Sequence, residues 1–353
     1  KILLLLFLVS ILAAAGVSYW IYNSVKTPVA HNKSDKFIEI PKGSTPNQII
    51  SKLVAEGIIK SETATQIYLR TFGEAEKLRA GEYQFSTPIS PLQVLKELEK
   101  GEERTTRLTI PEGYTRFDIA KRIAEKFPQT PPVDDRTILN LMDDTSRIKD
   151  ISPTAKNLEG YMYPSTYSFP RDAKPKEVID KMVDQFRKIW RPEWNERARA
   201  LGRTPQEIVT IASLIETESK FEEERPIVAS VIYNRLSKSI PLGIDQTAVY
   251  IAKMQNRWDG TINKSDLESD SPYNTRKFGG IPPGPISSVS ESAIAAALNP
   301  AKTDYIFYVL NVEKNDGSHH FYASAAEFER GKQAYQIWLE QQRREKRADE
   351  ANQ

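Results

Sequence analysis

Hydrophobic and polar positions alternate with three different rhythms along this chain, and each rhythm predicts a different kind of element. Residues 2–25 (ILLLLFLVSILAAAGVSYWIYNSV) carry no charge and run unbroken into Lys26. At about 1.5 Å per residue, a helix of that length crosses a hydrocarbon core of roughly 30 Å. Tyr19, Trp20 and Tyr22 sit at its far end, where an interfacial aromatic belt belongs. Ala13-Ala14-Ala15-Gly16 also resembles a small-residue processing site, so a cleaved signal peptide is the rival reading. The apolar run continues past that site and favours an anchor over residues 1–25; both readings export the chain beyond Lys26. Residues 26–36 (KTPVAHNKSDK) are polar and patternless and read as a linker.

The second rhythm is a strand–turn–helix device that occurs twice. Ile38-Glu39-Ile40-Pro41-Lys42-Gly43-Ser44-Thr45 recurs 70 residues later as Leu108-Thr109-Ile110-Pro111-Glu112-Gly113-Tyr114-Thr115. Each copy alternates apolar and polar residues, turns at Pro-x-Gly and opens a helix, through Ile49, Ile50 and Leu53 or through Ile119 and Ile123. Around the first copy the pattern predicts strand 37–41, a helix from Pro46 capped by Thr45 and Gln48, a helix over 61–72 and a strand over 80–86. This β-α-α-β order resembles the LysM-type glycan-binding module, with a ligand-free adaptor as the alternative. Ser90-Pro91-Leu92-Gln93 repeats the capping device for a helix ending near Gly101, which completes a module over 37–105.

The remainder, 106–353, reads as a larger mixed α+β domain. Residues 127–175 are Pro-rich and predict an irregular connection broken by a short helix near 136–143. Helices dominate from 176, strands are expected at 303–311 and 319–324, and a last helix from about 325 decays into mixed charge.

Composition narrows the chemistry. Lys and Arg total 49 against 47 Asp and Glu, a net charge of +2, too balanced for a sequence-independent nucleic-acid binder. There is no Cys, which excludes thiol catalysis, disulfide scaffolds and Cys-ligated metals, and only three His (His31, His319, His320), too few for a His-rich metal site. No phosphate-cradling Gly-rich loop accompanies a candidate Schiff-base lysine. Cofactor and metal are therefore expected to be none, and the chemistry is expected from carboxylates and hydroxyls.

The third rhythm is a helix that is apolar almost all round. Thr204-Pro205-Gln206-Glu207 is a capping box with Pro at N1, and the helix continues through EIVTIASLIETESKF. Ile208, Val209, Ile211, Ala212, Leu214 and Ile215 predict burial between layers. At about 100° per residue Glu218 falls between Leu214 and Ile215, whereas Glu216 lies nearly opposite, above Val209. The periodicity favours Glu218 only mildly. A carboxylate in a last helical turn also meets the negative end of the helix dipole, and apolar neighbours add desolvation in the same direction. Both raise its pKa, as a general acid near neutral pH requires. The competing reading of Glu216, Glu218 and Glu222 to Glu224 is a solvated helix end.

Glu218-Ser219-Lys220-Phe221 resembles the E-S-x-F signature of lytic transglycosylases. The wider run 212–236 is similar to the core of the endolytic murein transglycosylases, the MltG or YceG-like family. Further blocks agree: Leu158-Glu159-Gly160-Tyr161-Met162-Tyr163-Pro164, Ser271-Pro272-Tyr273-Asn274-Thr275, and Gly280-Ile281-Pro282-Pro283-Gly284-Pro285-Ile286. Asn299-Pro300-Ala301-Lys302 and His319 with Phe321 complete the set. Two positions depart from the family pattern: Gln246 stands where Pro is usual, and Phe328 where a His often comes after Ala-Glu.

The resemblance implies an α+β YceG-like catalytic domain behind a single membrane helix, with its catalytic part in the periplasm. It implies cleavage of the MurNAc–GlcNAc β-1,4 bond within glycan strands, leaving a 1,6-anhydroMurNAc end, with Glu218 as general acid and then base. Ser219, Asn234, Asp245, Thr247, Tyr273, Asn274, Glu159 and His319 are the candidate substrate-binding residues by motif position. The implied partners are glycan strands, the membrane through residues 2–25 and peptidoglycan synthases, and the implied role is termination of nascent strands. Two rivals stay open: a LysM-like scaffold that holds glycan without cutting it, and a hydrolase using two carboxylates.

Overall fold

The computed structural model describes residues 2–41, 43–101 and 105–351. The chain forms two compact units, the first through Thr106 and the second from Arg107.

The first unit opens with α1 (Ile2–Lys26), of which Leu6–Lys26 is long and apolar enough to cross a membrane. Strand β1 (Ile38–Ile40), α2 (Pro46–Ala55), α3 (Glu62–Thr71), β2 (Gly81–Tyr83) and α4 (Pro91–Lys100) come next. β1 and β2 pair antiparallel, Ile38 opposite Tyr83 and Ile40 opposite Gly81, giving the expected β-α-α-β order. Ile38, Ile40, Ile50, Leu53, Phe85 and Leu98 share its core. The second predicted strand is shorter than 80–86, because only 81–83 faces β1.

β3 (Thr105–Ile110), all but its first two residues in the second unit, leads into α5 (Arg116–Lys126) and α6 (Asp135–Leu141), then β4 (Ser165–Pro170), α7 (Pro175–Ile189) and α8 (Pro192–Ala200). β4 pairs with β3 inside a stretch expected to be irregular. The alternation of buried Tyr167 and Phe169 with exposed Thr166 and Ser168 is a strand pattern, obscured in sequence by the prolines at both ends. The chain continues through α9 (Pro205–Glu218), α10 (Arg225–Ser237), α11 (Gln246–Met254), α12 (Lys264–Leu267), α13 (Glu291–Leu298), the antiparallel hairpin β5 (Phe307–Leu310) and β6 (His319–Tyr322), and α14 (Ala325–Ala351).

The duplicated device adopts one local solution in each unit. Gly43 (φ +82°) and Gly113 (φ +74°) supply left-handed turns that residues with a Cβ resist. Thr45 and Thr115 then cap the next helices in reciprocal capping boxes with Gln48 and Asp118.

Helix α9 is the hub of the second unit, packed against α8, α10, α11 and α13. Every residue from Ile208 to Glu216 is buried, which is what an all-round apolar helix requires. Two of the sequence blocks meet it. Gly160 (φ +84°) approaches so closely that a Cβ there would lie 2.6 Å from Pro285 Cβ and 2.9 Å from Val209 Cγ1. In the loop before α13, Ile286 N donates to Ser213 Oγ at 3.0 Å. The Pro-Pro-Gly-Pro run is therefore a rigid strip laid along α9.

Candidate active site

The two acids at the end of α9 have opposite surroundings. Glu216 points into the protein: Oε1 accepts from Arg225 Nη2 at 2.7 Å, and Oε2 accepts from Ser290 N at 2.8 Å and Ser290 Oγ at 2.5 Å. Arg225 also donates to Ser290 Oγ at 2.6 Å and to the Ser292 hydroxyl. This buried ion pair ties the C-terminal end of α9 to the first turns of α10 and α13, and both carboxylate oxygens of Glu216 have their partners within the protein.

Glu218 is different. It is the last residue of α9, it retains partial exposure, and among the described residues the hydrogen-bond donor to its carboxylate is the Tyr308 hydroxyl, 2.6 Å from Oε2. Burial pushes this carboxyl above the usual carboxylate range. The Tyr308 hydrogen bond pulls it down, Asp245 pushes it up, and His319 and Arg235 pull it down. Most of its surroundings are protein, and one edge stays open. Burial therefore biases this carboxyl toward its protonated form, and the open edge leaves a direction in which a proton could be delivered.

The β5–β6 hairpin forms the wall facing Glu218. Tyr308, Phe321 and His319 share one face of it, with Tyr308 edge-on to His319 at 5.4 Å between ring centroids. Arg235 Nε donates to Ile306 O at 2.6 Å, and Asn234 Nδ2 donates to Thr303 O at 2.9 Å and Tyr305 O at 2.8 Å. These bonds fasten the approach to β5 onto α10. They also explain why the strand starts at 307 and not at 303: the carbonyls of 303, 305 and 306 are held by side chains instead of a ladder. On β6, Glu224 accepts from His319 N at 2.8 Å, and its Oε2 lies 2.9 Å from His319 Nδ1. Against a carboxylate oxygen Nδ1 carries the hydrogen, which leaves Nε2 as the ring's remaining polar atom.

The residues expected from motif position separate into two groups. Glu218, Asp245 and His319 are electrostatic neighbours, and Asp245 accepts from Arg276 Nε at 2.6 Å. Asn234 serves the hairpin backbone. The Ser219 hydroxyl donates to Phe221 O at 2.8 Å and shapes the turn after α9. Thr247, 1% exposed, donates to Ile244 O at 2.6 Å and meets Thr275 Oγ1 at 3.1 Å. Asn274, also 1% exposed, donates to Leu267 O at 2.9 Å and Ser269 O at 2.8 Å, folding its own loop.

Glu159 and Tyr273 meet elsewhere. Glu159 is buried, and both of its oxygens accept from Arg116 N, at 3.1 and 3.0 Å, where α5 begins. Burial pushes its carboxyl up to about 7, against the pull of the Arg116 N–H, of the Arg116 charge and of a Tyr250 hydrogen bond. Tyr273 packs 5.0 Å from Tyr250 and lines a cavity of about 160 Å³ with Gln206. Gln206 lies near the start of α9, about 18 Å along the axis from Glu218 at 1.5 Å per residue.

Residues 38–334 match the YceG-like family. The endolytic murein transglycosylase of Bacillus subtilis is 32% identical over 336 residues, which cover 91% of this chain and 90% of that protein. The protein of the same name from Streptococcus pneumoniae D39 is 30% identical over 87% of this chain, which spans 60% of its length. A yceG-like protein from Listeria monocytogenes of solved structure is 31% identical, covers 84% of this chain and 98% of its own, and superposes with a TM-score of 0.56. The chain belongs to the YceG-like family.

Within this YceG-like site, motif position missed Tyr308, Arg235, Glu224 and the Glu216–Arg225–Ser290 tie. Tyr308 sits in an apolar strand where a tyrosine reads as core. A weak signal existed for Glu224 and Arg225, a charged pair opening a helix directly after the acid-bearing turn. Phe328, where the family often has His, stacks on Phe307 at 4.6 Å on the opposite face of the hairpin from Tyr308.

Proposed function

We propose that this protein is a membrane-anchored endolytic peptidoglycan transglycosylase in which Glu218 is both the general acid and the general base. One observation carries the choice of residue: burial raises both carboxyls, but Glu216 is closed into an ion pair, whereas Glu218 is partly open and accepts from the Tyr308 hydroxyl. The names of the relatives supply the reaction class.

Protonated Glu218 gives its proton to the glycosidic oxygen between MurNAc and GlcNAc as the C1–O bond breaks, and the electron pair stays on the departing oxygen. The carboxylate then takes the C6 hydroxyl proton as O6 bonds to C1, closing the 1,6-anhydro ring. The proton is returned, no water enters, and one carboxyl suffices. Developing positive charge at C1 is favoured by the Asp245 carboxylate on the same side of the domain. In this reading His319, through Nε2, and Asp245 face substrate. Ser219, Asn234, Thr247 and Asn274 shape the walls around it, and Glu159 with Tyr273 belongs to the far end of α9.

The same reading assigns α1 as a single-pass anchor in the bacterial inner membrane, with the rest in the periplasm. The β-α-α-β unit is then a LysM-like glycan-holding module. The activity would trim or terminate nascent strands beside the synthases that make them. Digestion of purified sacculi in heavy-oxygen water tests the reaction class. Anhydro-ended internal fragments without solvent oxygen are expected; reducing ends carrying solvent oxygen would make the enzyme a hydrolase.

A further inference from the structure

The contact between Tyr308 and Glu218 assigns different roles to the two carboxyl oxygens. Tyr308 Oη lies 2.6 Å from Oε2. The strand bearing it is fixed by Asn234 and Arg235 through the carbonyls of 303, 305 and 306, and its ring is braced by His319 and Phe321, 5.4 and 6.0 Å away. His319 is itself clamped by Glu224 through both backbone and ring. These contacts hold the hydroxyl against Oε2. Ring packing alone would be satisfied by Phe, so the oxygen is the part that needs explaining.

We propose that Tyr308 is a positioning residue that holds Oε2 of Glu218 so that Oε1 alone carries the working proton. The proposal rests on the transglycosylase reading above. Oε1 gives the proton to the glycosidic oxygen while Tyr308 donates to Oε2. When the carboxylate is left behind, the same donor bond strengthens against the new negative charge, and Oε1 faces the C6 hydroxyl to recover the proton. Out and back, one oxygen does the work, and the carboxyl need not rotate between the two half-reactions. Tyr308 itself is not the base. Burial and the adjacent Glu218 charge push its phenol well above the usual value, so it stays protonated and acts as a donor.

The groups facing Glu218 come from four elements: Tyr308 on β5, His319 on β6, Arg235 on α10 and Asp245 just before α11, with Glu224 behind His319. Of these, Tyr308 makes the hydrogen bond. Its removal therefore raises the pKa of Glu218, because the bond stabilises the carboxylate. Activity needs the protonated acid first, so the alkaline limb of the pH–rate profile moves upward.

The test uses the full-length protein on sacculi, comparing wild type, Tyr308→Phe, Glu218→Gln and a protein with ring-fluorinated tyrosine at 308. Tyr308→Phe should lower turnover about ten- to hundredfold, the worth of a hydrogen bond to a charged group. It should leave KM nearly unchanged and move the alkaline limb up by about one pH unit. The fluorinated ring, a stronger donor of nearly the same shape, should move the limb down. Limbs that stay in place in both variants overturn the proposal, whether or not turnover falls, because a merely structural role changes rate without moving the limb. Wild-type activity in Glu218→Gln would instead remove the reading on which the proposal rests.

Discussion

Glu216 and Arg225 form an ion pair of 2.7 Å whose side chains are 2% and 5% exposed. Together with Ser290 the pair locks α9, α10 and α13 into one body and leaves the next acid on the helix, Glu218, at an open edge. Removing Glu216 takes away the buried partner of Arg225 and leaves it the exposed Glu112 carboxylate at 3.4 Å, so the cost falls below the roughly 3–5 kcal/mol of a fully stranded buried charge. Glu216→Gln should still lower the chemical-denaturation midpoint, while the protein that remains folded keeps its glycan cleavage. Glu218→Gln should do the reverse. It removes a carboxylate that burial disfavours, so stability holds or rises, and turnover falls by roughly a hundredfold or more, the usual contribution of a general acid. Denaturation and cleavage measured on both variants separate the roles.

Glu159 gives stability a pH dependence that does not pass through the reaction. Its carboxyl is raised from 4.5 to about 7, so the folded state binds this proton more tightly than the unfolded state. Stability is then greatest at low pH within this window and is lost as pH rises from 4.5 to about 7. At about 1.36 kcal/mol per unit the loss is about 3 kcal/mol. Glu159→Gln keeps one oxygen to accept from Arg116 N and removes the titration. Urea midpoints of the variant should run flatter than wild type between these pH values.

Gly160 combines two requirements in one residue, a left-handed backbone and a contact with Pro285 and Val209 that leaves no room for Cβ. Gly160→Ala should cost about 2–5 kcal/mol, the sum of backbone strain and overpacking. A fall in melting temperature checks it. Gly113→Ala, which meets the backbone requirement but no neighbour within 4 Å, should cost only about 1–2 kcal/mol.

Asn234 joins α10 to the hairpin through two carbonyls. Asn234→Ala leaves both without this donor and should cost about 1–3 kcal/mol. Because the same segment carries Tyr308, turnover should fall as well, and kinetic and melting measurements on one preparation check both effects.

Much of this was legible in the sequence where chemistry is local. Thr45, Ser90 and Thr204 cap their helices as their spacing with Gln48, Gln93 and Glu207 dictates. The burial of α9 comes from apolar residues on all its sides. The choice between Glu216 and Glu218 was only weakly legible, since both faces of α9 begin apolar. What separates the two acids is Ser290 and Tyr308, which lie 74 and 90 residues further along the chain. Motif position pointed to Asn274 and Thr247 as substrate-facing, and their hydrogen bonds instead serve loop and turn geometry.

The most direct measurement is mass spectrometry of the fragments released from purified sacculi by wild type and by Glu218→Gln at equal protein and equal pH. Internal fragments ending in 1,6-anhydroMurNAc are expected from wild type and none above background from the variant. Equal yields of the same fragments from both proteins would take Glu218 out of the mechanism.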